Sequence, residues 1–498
     1  MSTDDPPAPS GEPPAPPVVP LDPPEESSDP GVVPLDPSED SKSSPPDPPK
    51  PELLKTRDDR MPVPFDRTAN DFQVRGDDYP AWAPEGKFEI SDLRQRIEPW
   101  LTALFQSEHL SLLVGSGLTH AMHWMAADGP AAGMDTAKFE EYDKEIRDAA
   151  NSSAKEAKRS GANLEDDLRV ANELIRGLEI QGDEKAEKLR TQVAAILEDF
   201  AESILKSETG IVEGPSEKRE QAWNTLVNFL MSFASRSGTR ERLNIFTTNY
   251  DRILEAGAEL AGVHLLDRFV GTLTPIFRSS RLDVDMHYNP PGIRGEPRYL
   301  EGVVRYAKLH GSIDWVNSGH EIRRMGVPLG AEKIAPFLKA PGLMGATPNQ
   351  LMIFPNSAKD RETAHFPYVD LFRDFASAVC RPNSTLVTYG FSFGDEHINR
   401  IIEDMLTIPS THLVVIARSD SMGRISEMYD RLGRRSQITL LVGETLGDLA
   451  TLTENFLPKS AIDRATSRMS ELLKMRYPTE AGKKKETEDD QDSVSDLF

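Results

Sequence analysis

Residues 110–114, LSLLV, form an apolar run without alternation that stops at Gly115-Ser116-Gly117. A strand buried on both faces reads this way, because both sides of its pleat meet a core. Similar runs recur in LNIFTTN (243–249), VVRYAKLHG (303–311), STLVTYGFS (384–392), HLVVIA (412–417) and ITLLVG (438–443). Stretches with helical spacing lie between them: 251–262, 369–379, 395–406 and 421–433. Ahead of the first run, Leu93, Ile97, Leu101 and Leu104 recur at four, four and three residues. Strands alternating with helices predict an α/β fold with a mainly parallel sheet. Ligands of such sheets bind at the carboxyl ends of the strands.

Residues 135–235 differ in texture, being rich in Ala, Glu, Lys and Leu with no proline before Pro215. Leu164, Leu168, Ala171, Ile175 and Leu178 repeat at helical spacing, as do Val193, Ile196, Phe200 and Ile204, then Trp223, Leu226, Leu230 and Phe233. Three or more amphipathic helices are expected here, inserted after the first sheet strand.

The ends of the chain are biased. Residues 1–51 hold 18 of the 39 prolines and 11 acidic residues against two lysines, and VVPLDP occurs at 18–23 and 32–37. Such a segment buries too little apolar surface to offset the entropy of ordering. It reads as a disordered solvating tail, with the repeated element as a docking motif in the alternative. KKKETEDDQDSVSDLF (483–498) is a frayed acidic end or a peptide ligand for a basic groove. The expected organisation is a tail over 1–60, an arm over 61–94, a main domain over 95–465 with a helical insert at 134–238, and a C-terminal helix and acidic tail over 466–498.

The net charge of −24 argues against broad phosphate-backbone binding, so no direct nucleic-acid partner is expected. Cys380 is the one cysteine, which excludes a disulfide framework or a Cys-based zinc site within one chain. No apolar run reaches the ~18 residues of a membrane span, and no secretory signal pattern opens the chain, so no membrane partner is expected and a cytoplasmic location is.

Four strand ends carry polar clusters. Gly115, Ser116, Gly117 and Thr119 follow the first run; glycines let a backbone approach a pyrophosphate, and they equally suit an ordinary tight turn. Asn249 and Asp251 lie in TTNYD, where Asp251 fits a helix cap and Asn249 a turn. His310 precedes Gly311 in KLHGS, as a satisfied core residue or a general base. Gly390, Ser392, Asp395 and His397 lie in GFSFGDEHI; the glycine and hydroxyl suit a ribose or phosphate, and Asp395 also suits a helix cap. His120 and His123, at i, i+3, share a helix face but lack further ligands nearby, so a surface or pocket role outweighs a metal site.

The order GSG-L-T, TTNYD, LHGS and GFSFGDEHI, over about residues 95–445, resembles the sirtuin-like superfamily, closest to its shorter prokaryotic branch. IFPNSAK (353–359) resembles that branch's Pro…Lys segment. The resemblance implies a Rossmann-like, doubly wound NAD-binding domain. Carried over, Gly115, Ser116, Gly117 and Thr119 hold the NAD phosphates, Asn249 faces the nicotinamide ribose, and Asp251 braces that loop. His310 is the general base, Gly390 and Ser392 meet the adenosine side, and Asp395 and His397 belong to the branch's own signature. The protein-deacylating members carry a four-cysteine zinc module that one cysteine cannot build. Water is then the implied acceptor, and the activity an NADase without zinc. The branch is associated with anti-phage defence, which implies gating by a homo-oligomer, a HerA-type ATPase or another defence partner. An ADP-ribosyl transferase or deacylase, and a non-catalytic nucleotide-sensing subunit, are the alternatives.

Overall fold

The computed structural model describes residues 50–459, apart from 70, 132–135, 157–160, 237–239, 281–285, 289–297, 319–320 and 353–365. The VVPLDP repeats, the IFPNSAK segment and the expected C-terminal helix and tail lie outside the described residues.

The described residues open with four strands, β1 (Glu52–Lys55), β2 (Val63–Arg67), β3 (Phe72–Val74) and β4 (Lys87–Phe88), followed by helix α1 (Ile90–Phe105). Then come β5 (His109–Val114), α2 (Gly117–Ala127) and the helices α3 (Asp143–Glu156), α4 (Leu164–Gln181), α5 (Lys185–Val212) and α6 (Ser216–Ala234). Next are β6 (Asn244–Thr247), α7 (Ile253–Leu260), β7 (His264–Leu266) and β8 (Val303–Lys308). The last part alternates: α8 (Tyr368–Val379), β9 (Ser384–Tyr389), α9 (Glu396–Leu406), β10 (His412–Ala417), α10 (Arg424–Leu432) and β11 (Ile438–Val442).

These strands form one 11-stranded sheet in the order β4-β3-β2-β1-β11-β10-β9-β5-β6-β8-β7. From β11 to β7 every neighbour is parallel. β1 to β4 are an antiparallel meander added to the β11 edge. The expected tail therefore gives way by Glu52, and the expected arm is sheet. Glu52 and Lys55 are both buried charges on β1, and Pro64 stands in β2, which is why this region reads as polar.

Consecutive residues of the central strands face opposite layers, as period two requires. Leu112, Val414 and Leu441 join one core with α1, α2, α6 and α7; Leu113, Val415 and Leu440 join another with α8, α9 and α10. The fold is thus α/β, with helices on both faces of a large mostly parallel sheet. A third core binds α3, α4 and α5 to Tyr250, Ile313, Val316 and Leu351. The inserted helices therefore divide: α6 packs on the sheet, while α5 reaches the loops after β6 and β8.

From β5 the chain winds one way to β6, β8 and β7, and from β9 the other way to β10 and β11. The adjacent pair β5 and β9 is therefore the topological switch point, where an open α/β sheet leaves a crevice at its carboxyl edge.

Candidate active site

At that crevice two glycine turns touch. Gly117 N–H donates to Gly390 O at 3.1 Å, and a Cβ on Gly117 would stand 2.5 Å from Gly390 Cα. Gly390 itself has φ +61°. Both glycines are thus required by backbone contact alone, beside any role toward a ligand. Ser116 and Ser392 are exposed on these two loops.

The next strand, β6, ends in the Asn249–Asp251 turn. Asn249 is 7% exposed, and its Nδ2 donates to Gly115 O at 3.1 Å and to Thr119 Oγ1 at 3.0 Å. Thr119 in turn donates to Asp251 Oδ2 at 2.5 Å, and Asp251 Oδ1 accepts from Ile253 N–H at 3.1 Å. Asp251 therefore takes a free N–H at the start of α7 with one oxygen and holds Thr119 of α2 with the other. The relay also fixes the Asn249 amide. Gly115 O can only accept, and the Thr119 proton is committed to Asp251, so both neighbours demand the NH2 end. The carbonyl Oδ1 is left enclosed with no partner among the described residues. Buried acceptors are normally satisfied, so this oxygen marks the place of a missing donor.

Below the turn lies Lys308, 1% exposed on β8. Its Nζ donates to Asp251 O, to Tyr250 O at 3.4 Å and to Glu255 Oε1 at 3.0 Å. Glu208 of α5 approaches from the insert and accepts from Arg252 N–H at 2.7 Å and Arg252 Nε at 3.2 Å. Burial works against the Arg252 charge, and the hydrogen bonds and charge of Glu208 outweigh it, so the guanidinium pKa is raised. Neither Lys308 nor Glu208 was singled out by the sequence pattern. A lysine inside the apolar run VVRYAK was the available signal; Glu208 had none.

His310 follows β8, and Tyr250 O accepts from Ser312 Oγ at 3.2 Å and Ile313 N–H at 3.0 Å, which ties the two loops together. The His310 and Tyr250 rings are 6.4 Å apart between centroids. Gly311 has φ +91°, and a Cβ there would stand 2.0 Å from Met352 O, so the turn that presents His310 requires glycine. His310 Nε2 lies 2.7 Å from Asp395 Oδ2. The Asp395 Oδ1 accepts from the His397 and Ile398 N–H groups, capping α9 as the sequence suggests. The His397 ring stands edge-on to Phe372 of α8, with centroids 6.4 Å apart.

On α2, burial and the neighbouring His123 hold His120 below the usual imidazole range, against the pull of Asp251. His123 Nδ1 instead meets Gly129 O at 2.8 Å. Among the described residues, no group of three or more His, Cys, Asp or Glu side chains could hold a metal ion. Nor is any described helix long and apolar enough to cross a membrane.

Residues 243–441 match the family model described as a SIR2-like domain. The match takes in Asn249, Asp251, His310, Gly390 and Asp395 and begins after the glycine loop, which the sheet order brings back beside them. No curated protein matches the chain.

Proposed function

The chain is sirtuin-like, carrying a SIR2-like domain over residues 243–441, and from that premise we propose that it is an NAD glycohydrolase. NAD and water give nicotinamide, ADP-ribose and a proton. The C1′–N bond of the nicotinamide ribose breaks, and its electron pair leaves on the nicotinamide nitrogen. The leaving group is cationic in NAD and departs neutral, so no general acid is needed. What the site must supply is orientation of the ribose, support for an oxocarbenium-like sugar, and a base for the attacking water.

The observation that carries this reading is the meeting of the glycine loop, the fixed Asn249 amide and the His310–Asp395 pair at the switch-point crevice. The Asn249 turn suits the nicotinamide ribose. Gly115, Ser116 and Gly117, at a helix N-terminus on the switch point, suit the pyrophosphate, with Thr119 joining them through its backbone alone, since its hydroxyl is committed to Asp251 and Asn249. Gly390 and Ser392 suit the adenosine side. His310 takes the water proton, with Asp395 at its other nitrogen; His397 supports the same loop. Asp251 acts on Asn249 through Thr119.

Unrestrained NAD hydrolysis would drain the cell, so the activity belongs under control, by a homo-oligomer, a HerA-type ATPase or another defence partner, in a cytoplasmic anti-phage role. The decisive experiment is NAD consumption with product identification by the wild type, Asn249→Ala and His310→Ala, each alone and in lysate of phage-infected cells. Conversion to nicotinamide and ADP-ribose by the wild type only is expected. NAD binding without turnover in every condition would overturn the enzymatic reading in favour of a nucleotide-sensing subunit.

A further inference from the structure

Asp395 is 5% exposed, and its two oxygens have separate duties. Oδ1 accepts from His397 N–H at 3.0 Å and Ile398 N–H at 3.4 Å, capping α9. Oδ2 lies 2.7 Å from His310 Nε2. Capping uses a single side-chain oxygen, which a serine supplies as well. The contact with His310 draws on the other oxygen of the carboxylate. An ionised carboxylate accepts and cannot donate, so a neutral His310 ring carries its proton on Nε2. The lone pair then sits on Nδ1, which has no hydrogen-bond partner among the described residues.

From this geometry we infer that Asp395 is a positioning residue for the proposed NAD cleavage: it fixes His310 in the tautomer whose Nδ1 accepts the proton of the attacking water. The inference rests on the base role given to His310 above. Asp395 touches no reacting atom in this role. A ring in the other tautomer offers an N–H where a lone pair is needed, so the loss falls on kcat and not on KM.

Asp395→Asn separates this role from capping. Asparagine caps a helix as well as aspartate does. To cap, its side-chain oxygen must face the two N–H groups, which turns its NH2 toward His310 Nε2. That nitrogen must then accept, and the ring proton moves to Nδ1. Asp395→Ser keeps the cap and frees the ring from either demand.

The test uses the full chain labelled with 15N-histidine and long-range 1H–15N spectra, the His310 signals being identified by their loss in His310→Ala. The wild type is expected to show the Nε2–H tautomer and Asp395→Asn the Nδ1–H tautomer, with the melting temperature retained. The kcat for NAD falls roughly 100-fold or more in Asp395→Asn and less in Asp395→Ser, with KM little changed. An Asn variant that keeps the Nε2–H tautomer, or that inverts it and keeps wild-type kcat, overturns the inference. A wild type that holds the Nε2–H tautomer but never cleaves NAD sinks the proposed reaction, and supports the tautomer assignment, so the two failures are told apart.

Discussion

Glu208 and Arg252 join the inserted helices to the site: the α5 carboxylate accepts from the backbone N–H, Nε and Nη2 of Arg252, the residue directly after Asp251. Arg252 also donates to Val327 O and to Pro328 O. Removing the acid strands a buried guanidinium beside two carbonyls. Glu208→Ala should lower stability by about 3 kcal/mol, the order seen when one partner of a buried pair is removed. Chemical denaturation checks this. A change under about 0.5 kcal/mol, the range of ordinary surface substitutions, would mean that the insert does not depend on this pair.

Thr119 transmits Asp251 to Asn249, so its hydroxyl matters more than its volume. In Thr119→Val the Asn249 amide loses one of the two contacts that orient it. The expected stability cost is about 1 kcal/mol. The kcat/KM for NAD should fall by roughly tenfold or more, since a misplaced positioning group costs transition-state contact. Unchanged kinetics in a correctly folded Val variant would show that Asn249 is oriented by Gly115 alone.

Lys308 tests whether the turn needs its buried amine. Lys308→Met keeps length and apolar packing but takes the amine from Asp251 O and Glu255 Oε1, while Tyr250 O keeps Ser312 Oγ and Ile313 N–H. Loss of about 3 kcal/mol is expected. Thermal melting with and without NAD checks it: the variant should melt lower in both conditions and gain less from NAD than the wild type. A variant that melts with the wild type argues against this bracing.

Away from the crevice, His412 sets an acid limit on stability. Burial, then the charge of Lys55, lowers its pKa from 6.5 to about 4. Its Nε2 meets Thr439 Oγ1 at 2.8 Å. Above pH 6.5 the ring is neutral whether the chain is folded or not, and the stability is whole. Between about 6.5 and 4 the unfolded chain takes a proton that the native ring refuses, so stability falls with pH, by on the order of 3 kcal/mol in all. Below about 4 this group adds no further loss. Urea midpoints of the wild type and His412→Gln between pH 7 and 4 check it. The variant's midpoint should fall less steeply, and parallel curves would contradict the assignment.

The parallel strands were legible because strands such as His109–Val114 and His412–Ala417 are buried on both faces and read as mostly apolar runs without alternation. The inserted helices were legible from the helical spacing of one buried face, and Leu164, Leu168, Ala171, Ile175 and Leu178 are all buried. The meander was not legible, since Glu52 and Lys55 disguise β1. Glu52 is buried because its carboxylate accepts the Thr445 and Leu446 N–H groups, and Lys55 because its amine reaches Ile438 O. Both partners are hundreds of residues away in sequence. A separation of 85 residues likewise hid the pairing of His310 with Asp395. Each residue was a visible candidate, but only the sheet order β9-β5-β6-β8 brings the β8 and β9 loops to one crevice.

In the proposed reaction water takes the ribose of NAD. Turnover in H2(18)O, in the condition that activates the protein, tests it most directly by mass spectrometry of the products. One heavy oxygen in ADP-ribose, none in nicotinamide, and no product from Asn249→Ala are expected. Nicotinamide released with ADP-ribose left attached to a protein or another acceptor, and no labelled ADP-ribose, would contradict it.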